Sequence, residues 1–151
     1  MTLCGLQDGA DATTGNGYLD IVDAIVGNAG FADPQTALEQ LYRRVAFSIA
    51  IRNHDDHFRN HGFLLTDKGG VWSPAYDLNP SDFSTQSLLV SRDSNESSLD
   101  VLLAAAGDYM LSTIQAERII SEVRTAMTKA RQVARQCGIS DREMERFKMI
   151  F

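Results

Sequence analysis

From Ala116 to Cys137 an apolar residue returns every three or four positions: Ala116, Ile119, Ile120, Val123, Ala126, Met127, Ala130, Val133, Ala134 and Cys137. A stripe of 3.6-residue period held over that length commits this part of the chain to α-helix and to the burial of one face. Ser112 and Gln115 stand ahead of it as a capping box, and Gly138 follows as the C′ stop. The spacing therefore predicts one helix of about six turns. Ser140 and Glu143 form a second box, opening a last helix with Met144, Phe147 and Phe151 on its apolar side.

The remaining chain supplies what packs on that face. Tyr18, Ile21, Val22, Ile25 and Val26 repeat the stripe for a first helix, which Asn28 and Gly30 end. Asp33 as N-cap and Pro34 at the first helical position open a second, with Leu38, Leu41, Tyr42, Val45 and Ile49 on one face. Between Val45 and Ile51 the apolar character spreads around the helix through Phe47 and Ala50, as in a helix buried on all sides. Residues 1–6 suit a strand and residues 7–17 a loop. The glycines of that loop form no phosphate cradle, because no Gly-Lys-Ser/Thr follows and no G-x-G-x-x-G joins a strand to a helix. Gly62–Leu65 and Val71–Trp72 read as a β-hairpin turned through Asp67-Lys68-Gly69-Gly70, and Leu88–Val90 as a short strand. Leu99, Leu102, Leu103 and Ala106 suggest a short helix ending at Gly107. The fold class expected is mainly α (α+β with one small hairpin), in a single domain over residues 1–151.

Composition removes several function classes. A chain of 151 residues, 44% hydrophobic and 23% charged, is an ordinary globular domain with enough material for a core. No apolar run approaches the roughly 20 residues of a membrane span, and no signal peptide opens the chain, so a cytoplasmic protein is expected. Cys4 and Cys137 are expected as two buried free thiols, with a disulfide as the alternative. Residues 1–111 carry six Lys/Arg against fifteen Asp/Glu, which argues against a nucleic-acid groove there. Residues 112–151 carry eight against five, the mixture of a solvated helix face.

The chemistry concentrates in Asn53-His54-Asp55-Asp56-His57-Phe58-Arg59-Asn60-His61, which holds all three histidines, and in the later Ala75-Tyr76-Asp77-Leu78-Asn79-Pro80. Asp55 and Asn60 stand as D-x-x-x-x-N. In protein-kinase-like enzymes that spacing lets one loop do two jobs: the Asp orients an acceptor hydroxyl and takes its proton, and the Asn offers a carbonyl oxygen to Mg²⁺. The hairpin would return Asp77 as the second oxygen ligand of that hard cation. Tyr76 would pack beside it, and Arg52 and Arg59 are candidates either for phosphate contact or for loop packing.

These two segments, together with Gly62-Phe63-Leu64 and Trp72-Ser73-Pro74, closely resemble the C-terminal part of HipA-family serine/threonine kinases, the toxins of bacterial toxin–antitoxin pairs. The resemblance implies the helical C-terminal lobe of a HipA-like, protein-kinase-like fold. It implies Asp55 as catalytic base, Asn60 and Asp77 as Mg²⁺ ligands, and ATP as phosphate donor to a protein hydroxyl. His57 fits the family's D-x-H-x-x-N pattern as a hydrogen-bonding support, beside Asp56 and Tyr76. A helix-turn-helix antitoxin is the partner implied. Family members also carry an N-terminal region with the phosphate-covering loop and an ATP-contacting lysine. Lys68, Lys129 and Lys148 sit on no strand suited to that lysine, so the chain is expected to be one lobe of a longer protein and inactive alone.

Two other readings stay open. The lobe could be a non-catalytic interaction module that binds the antitoxin. His54, His57 and His61 could face one side of a helix and hold a hydrolytic metal, although such sites generally need a further acidic or His ligand.

Overall fold

In the computed structural model the described residues are 3–28, 30–81 and 83–146. Helices α1 (Tyr18–Gly27) and α2 (Pro34–Ala50) come first, followed by strands β1 (Phe63–Thr66) and β2 (Gly69–Trp72). Then follow α3 (Leu99–Ala104), α4 (Thr113–Met127), α5 (Ala130–Gln136) and α6 (Asp141–Arg146). Single 3-10 turns stand at Ala12–Thr14, Phe58–Asn60 and Ala106–Tyr109. The chain is mainly helical with one antiparallel hairpin, as its periodicity requires.

The core forms where α2 crosses α4, the most extensive helix pair. Leu41, Tyr42 and Val45 of α2 and Ile119 of α4 are fully buried. Each such side chain contributes about 1.5–3 kcal/mol. Pro34 starts α2 after the Asp33 carboxylate accepts the Thr36 N–H at 3.1 Å. Tyr42 and Tyr109 meet edge to face at 5.2 Å, and their hydroxyls donate to Leu102 and Val90 carbonyls. On α1 the stripe stops one residue short: Val26 is exposed and lies outside the core. Entry into α1 depends on Gly17, whose backbone lies against Leu89. A Cβ there would stand 2.4 Å from the Leu89 carbonyl oxygen. That contact gives Leu88–Val90 one bridge to Gly17 rather than a strand, a correction to the sequence reading. Leu3–Gly5 likewise form a turn, not a strand.

The hairpin turns tighter than expected. Thr66 pairs with Gly69, leaving Asp67-Lys68 as the turn, with the Thr66 hydroxyl donating to the Gly69 carbonyl at 2.7 Å. On its far side β2 meets the α1–α2 connection, where Gly70 N–H donates to Gly30 O at 2.6 Å and Ala32 N–H to Gly70 O at 3.1 Å.

The expected six-turn helix is two helices, α4 and α5. The Thr125 hydroxyl bonds back to Ser121 O and that of Thr128 to Thr125 O, at 2.8 and 2.7 Å. Such back-bonding bends helices, and the ladder restarts after Lys129. Ser140 and Glu143 make the predicted capping box, while Phe147 and Phe151 lie outside the described residues. Cys137 is exposed and Cys4 half-buried, both free, because Cys137 caps α5 at its open end. Part of the basic charge of α4–α6 is paired: Arg118 with Glu39 and Glu122, Arg131 with Glu145, and Arg135 with Asp141. No helix among the described residues is long and apolar enough to cross a membrane.

Candidate functional site

α2 ends inside the core, and the groups that satisfy its last carbonyls set the loop that follows. Ile51 N–H closes on Phe47 O at 2.9 Å, and Asn53 N–H returns to Ser48 O at 2.8 Å. Arg52, at φ 58°, makes the left-handed turn that releases the chain from the helix. The Asn53–Asn60 loop then tightens into the Phe58–Asn60 turn, where Asn60 N–H bonds to His57 O at 2.9 Å.

Within this loop the two adjacent aspartates point to different environments. Asp55 is exposed and lines a cleft of about 180 Å³ with Asp8, Asp11, His57, Arg59 and Ser87. Asp56 is 2% exposed. Its carboxylate accepts the Tyr18 hydroxyl at 2.8 Å and the Ser48 hydroxyl at 3.2 Å. His61 Nε2 stands 3.2 Å from the other oxygen, a close polar contact rather than an aligned hydrogen bond. Burial pushes the Asp56 carboxyl up, but His61, Tyr18 and Ser48 together outweigh it and hold it below its ordinary value. Burial, and then the Asp56 charge, raises the Tyr18 phenol well above its usual range.

The sequence marked Asp56 as a support and missed Tyr18, which it showed only as a member of a helical face, and Ser48, which it did not mark. The histidine that stands against Asp56 is His61. The His57 Nδ1 is buried without a partner, and the residue lines the same cleft as Asp55. Arg59 pairs with Asp8 at that cleft, so any phosphate contact would have to displace the pair. The histidine-metal alternative is not formed. α2 stops at Ala50, so no helical face carries His54, His57 and His61 together. Among the described residues no three His, Cys, Asp or Glu side chains converge on a metal position.

The segment carrying Asp77 comes back to this loop. At the end of β2, Trp72 Nε1–H donates to Ala37 O at 2.8 Å, and the Arg44 guanidinium lies over the Trp72 ring at 4.4 Å. Arg44 also donates to the Ser73 carbonyl, and Ser73 N–H bonds to Gly62 O at 2.9 Å. Residues 73–81 then run without regular structure but are stitched to the first loop on both sides of Asp77. The Tyr76 hydroxyl donates to Arg59 O at 2.6 Å, Asn53 Nδ2 to Asp77 O at 3.4 Å, and Ser81 N–H to Arg52 O at 2.9 Å. Tyr76 is thus half-exposed and bonded through its hydroxyl, more than a packing ring. Asp77 is exposed at φ 56°, its Oδ1 accepting from Asn79 Nδ2 at 2.8 Å. Asn60 is 6% exposed, and its Nδ2 is buried without a partner. The side chains of Asn60 and Asp77 offer one carbonyl and one carboxylate, the hard oxygen donors that Mg²⁺ prefers, so the residues present fit that ion.

A family model for the HipA-like C-terminal domain matches residues 1–131. No curated protein matches the chain. Among solved structures, a chain from the Shewanella oneidensis MR-1 toxin–antitoxin complex of HipA, HipB and operator DNA has the same fold. It has a TM-score of 0.68 and 14% identity over 97% of this chain. This chain spans 34% of that one, about a third of its length. The matched stretch takes in both stitched loops and the helices that hold them, and the chain belongs to the family of HipA-like C-terminal domains.

Proposed function

We propose that this domain is the catalytic lobe of a HipA-like serine/threonine kinase, with residues 1–151 as one lobe and the cytoplasm as its compartment. The observation that carries the reading is the stitching of the Asp77 segment onto the Asn53–Asn60 loop at Tyr76, Asp77 and Ser81. A base and two oxygen ligands on two loops held to each other are what phosphoryl transfer demands, because that chemistry rests on positioning and charge stabilisation. Asp55, the exposed carboxylate at the cleft, orients the hydroxyl of a protein substrate and takes its proton. Asn60 and Asp77 hold Mg²⁺, which supplies charge neutralisation on the ATP phosphates when bound. His57 lines the same cleft as Asp55. The HipA–HipB–DNA assembly of the structural relative supports an antitoxin as partner.

Calorimetric titration of ATP at several Mg²⁺ concentrations, in the protein that carries this lobe with its nucleotide-covering region, tests the roles. Asp55→Asn leaves Mg²⁺-dependent binding within about two-fold and lowers turnover by 10²-fold or more, the range of a lost general base. Asp77→Asn weakens Mg²⁺-dependent binding most, because it removes the one formal charge assigned to the ion, and Asn60→Ala falls between them. The opposite pattern for Asp55 and Asp77 would reverse the assignment. This lobe alone incorporates no radiolabelled phosphate; incorporation abolished by Asp55→Ala would contradict that expectation.

One observation favours the alternative of a non-catalytic interaction module. A trough of about 470 Å³ runs beside α5, lined by Phe47, Ile51, Leu78, Met127, Val133 and Ile139. Unchanged ATP binding in all three variants would leave that reading standing.

A further inference from the structure

Asp56 is a nearly fully buried carboxylate next to the proposed base, and the phosphoryl-transfer chemistry gives it no task. It contacts His61, which follows the proposed ligand Asn60, so the pair spans the loop just inside Asp55 and just outside Asn60. Its other oxygen is held by Ser48 of α2 and, from 38 positions away in sequence, by Tyr18 in the first turn of α1. The Tyr18 ring also meets the His61 ring edge to face at 5.7 Å. Tyr18 in turn is fixed by its own N–H, which donates to Leu89 O at 3.0 Å where Gly17 lies against Leu89. A buried carboxylate left with any of these partners missing is strongly destabilised, so the native loop has one arrangement in which all are satisfied.

We infer that the Tyr18–Asp56–His61 cluster is a positioning device that sets the separation of Asp55 and Asn60, with Tyr18 as a positioning residue supplied by α1. The inference rests on the reading of Asn60 and Asp77 as metal ligands. It adds that α1, which contributes nothing to the cleft chemistry, governs the geometry of the cation site.

Tyr18→Phe tests this, because it removes one hydroxyl and keeps the ring, and Ser48→Ala is a second, independent cut of the same cluster. Tyr109→Phe is the control: its hydroxyl is equally buried but bonds to Val90 O at 2.8 Å rather than to Asp56. Two readouts are taken on the purified chain: amide hydrogen exchange at residues 53–61, and Mn²⁺ titration followed by paramagnetic broadening of amide signals. Tyr18→Phe and Ser48→Ala speed exchange in the loop by about ten-fold and raise the Mn²⁺ dissociation constant by about five-fold. Tyr109→Phe, with a comparable fall in Tm, changes both by less than two-fold. Equal effects from Tyr18→Phe and Tyr109→Phe would reduce the cluster to general stability and overturn the inference. A loosened loop with unchanged Mn²⁺ affinity would overturn it while leaving the metal reading intact, provided Asp77→Asn still abolishes broadening. Broadening that survives Asp77→Asn would remove the metal reading and the inference with it.

Discussion

Asp55 and Asp56 are chemically identical and adjacent, yet one faces solvent and the other lies in the core. Nothing in a loop without periodicity tells a reader which of two neighbouring carboxylates turns inward. The choice is made by Tyr18 and Ser48, both on helical core faces, and by His61 at the far end of the loop. The sequence did carry a faint signal: a hydroxyl-bearing residue at the apolar face of a helix start needs a polar partner when buried. Asp56→Ala removes the acceptor and leaves two hydroxyls and an imidazole unpaired, a loss of about 3 kcal/mol measurable by urea unfolding. The same carboxylate gives a pH signature. Its native pKa lies below its unfolded value, so the unfolded chain binds the extra proton as pH falls. Its stabilising contribution is full above the ordinary carboxylate range, roughly pH 4, and is lost below it. Urea midpoints collected between pH 6 and pH 3 fall for the wild type, and Asp56→Asn flattens the part of that fall due to this group. Parallel curves for the two proteins would show that Asp56 has no such role.

At the scale of elements, α2 acts as the common support of both loops. Its C-terminal end holds Asp56 through Ser48, and its earlier turns hold the hairpin through Ala37, Trp72 and Arg44. Trp72→Phe deletes the Nε1 bond and weakens the stacking of Arg44, for about 2 kcal/mol of destabilisation in a thermal melt. The loss appears as well in faster exchange at Ser73 N–H, where the Asp77 segment begins; an unchanged Ser73 rate would show that Gly62 alone fixes the strand exit. Helix existence was legible from periodicity and caps, since Asp33 with Pro34, Ser112 with Gln115 and Ser140 with Glu143 all start helices where expected. The interruption after Met127 was not, because threonines that bond back to their own helix look like ordinary exposed positions in a stripe. The isolated Gly17–Leu89 bridge was invisible for a related reason: it pairs segments far apart in sequence that have no pattern of their own.

For the molecule as a whole, the burial is uneven. Residues of α1, α2, α3 and α4 and of the segments that connect them form one apolar cluster, whereas the buried Ala134 of α5 and Met144 of α6 lie outside it. The main contacts of α6 are with α5, helped by the exposed pairs Arg131–Glu145 and Arg135–Asp141, which contribute little in water. The terminal pair is therefore a satellite that opens without the core. Amides in residues 130–146 exchange well before those of 41–49 and 116–123, whereas a single protection class across all of them would show one cooperative unit. The family match ends at residue 131, close to the same boundary.

Asp77 sits in a left-handed backbone turn that most side chains resist, and it does so at the place where the proposed chemistry asks for a charged metal ligand. On the proposed reading two selections act on this codon, and a saturation library would pull them apart. Scored for protease resistance, the position accepts Gly and Asn beside Asp and rejects Val and Ile, since only conformational freedom is at stake. Scored for phosphate transfer, Gly and Asn drop out and Asp stands alone. Neutral drift at this site has no path through a residue that serves the fold and the chemistry equally, so a lineage that abandons catalysis is expected to show it first as glycine or asparagine here.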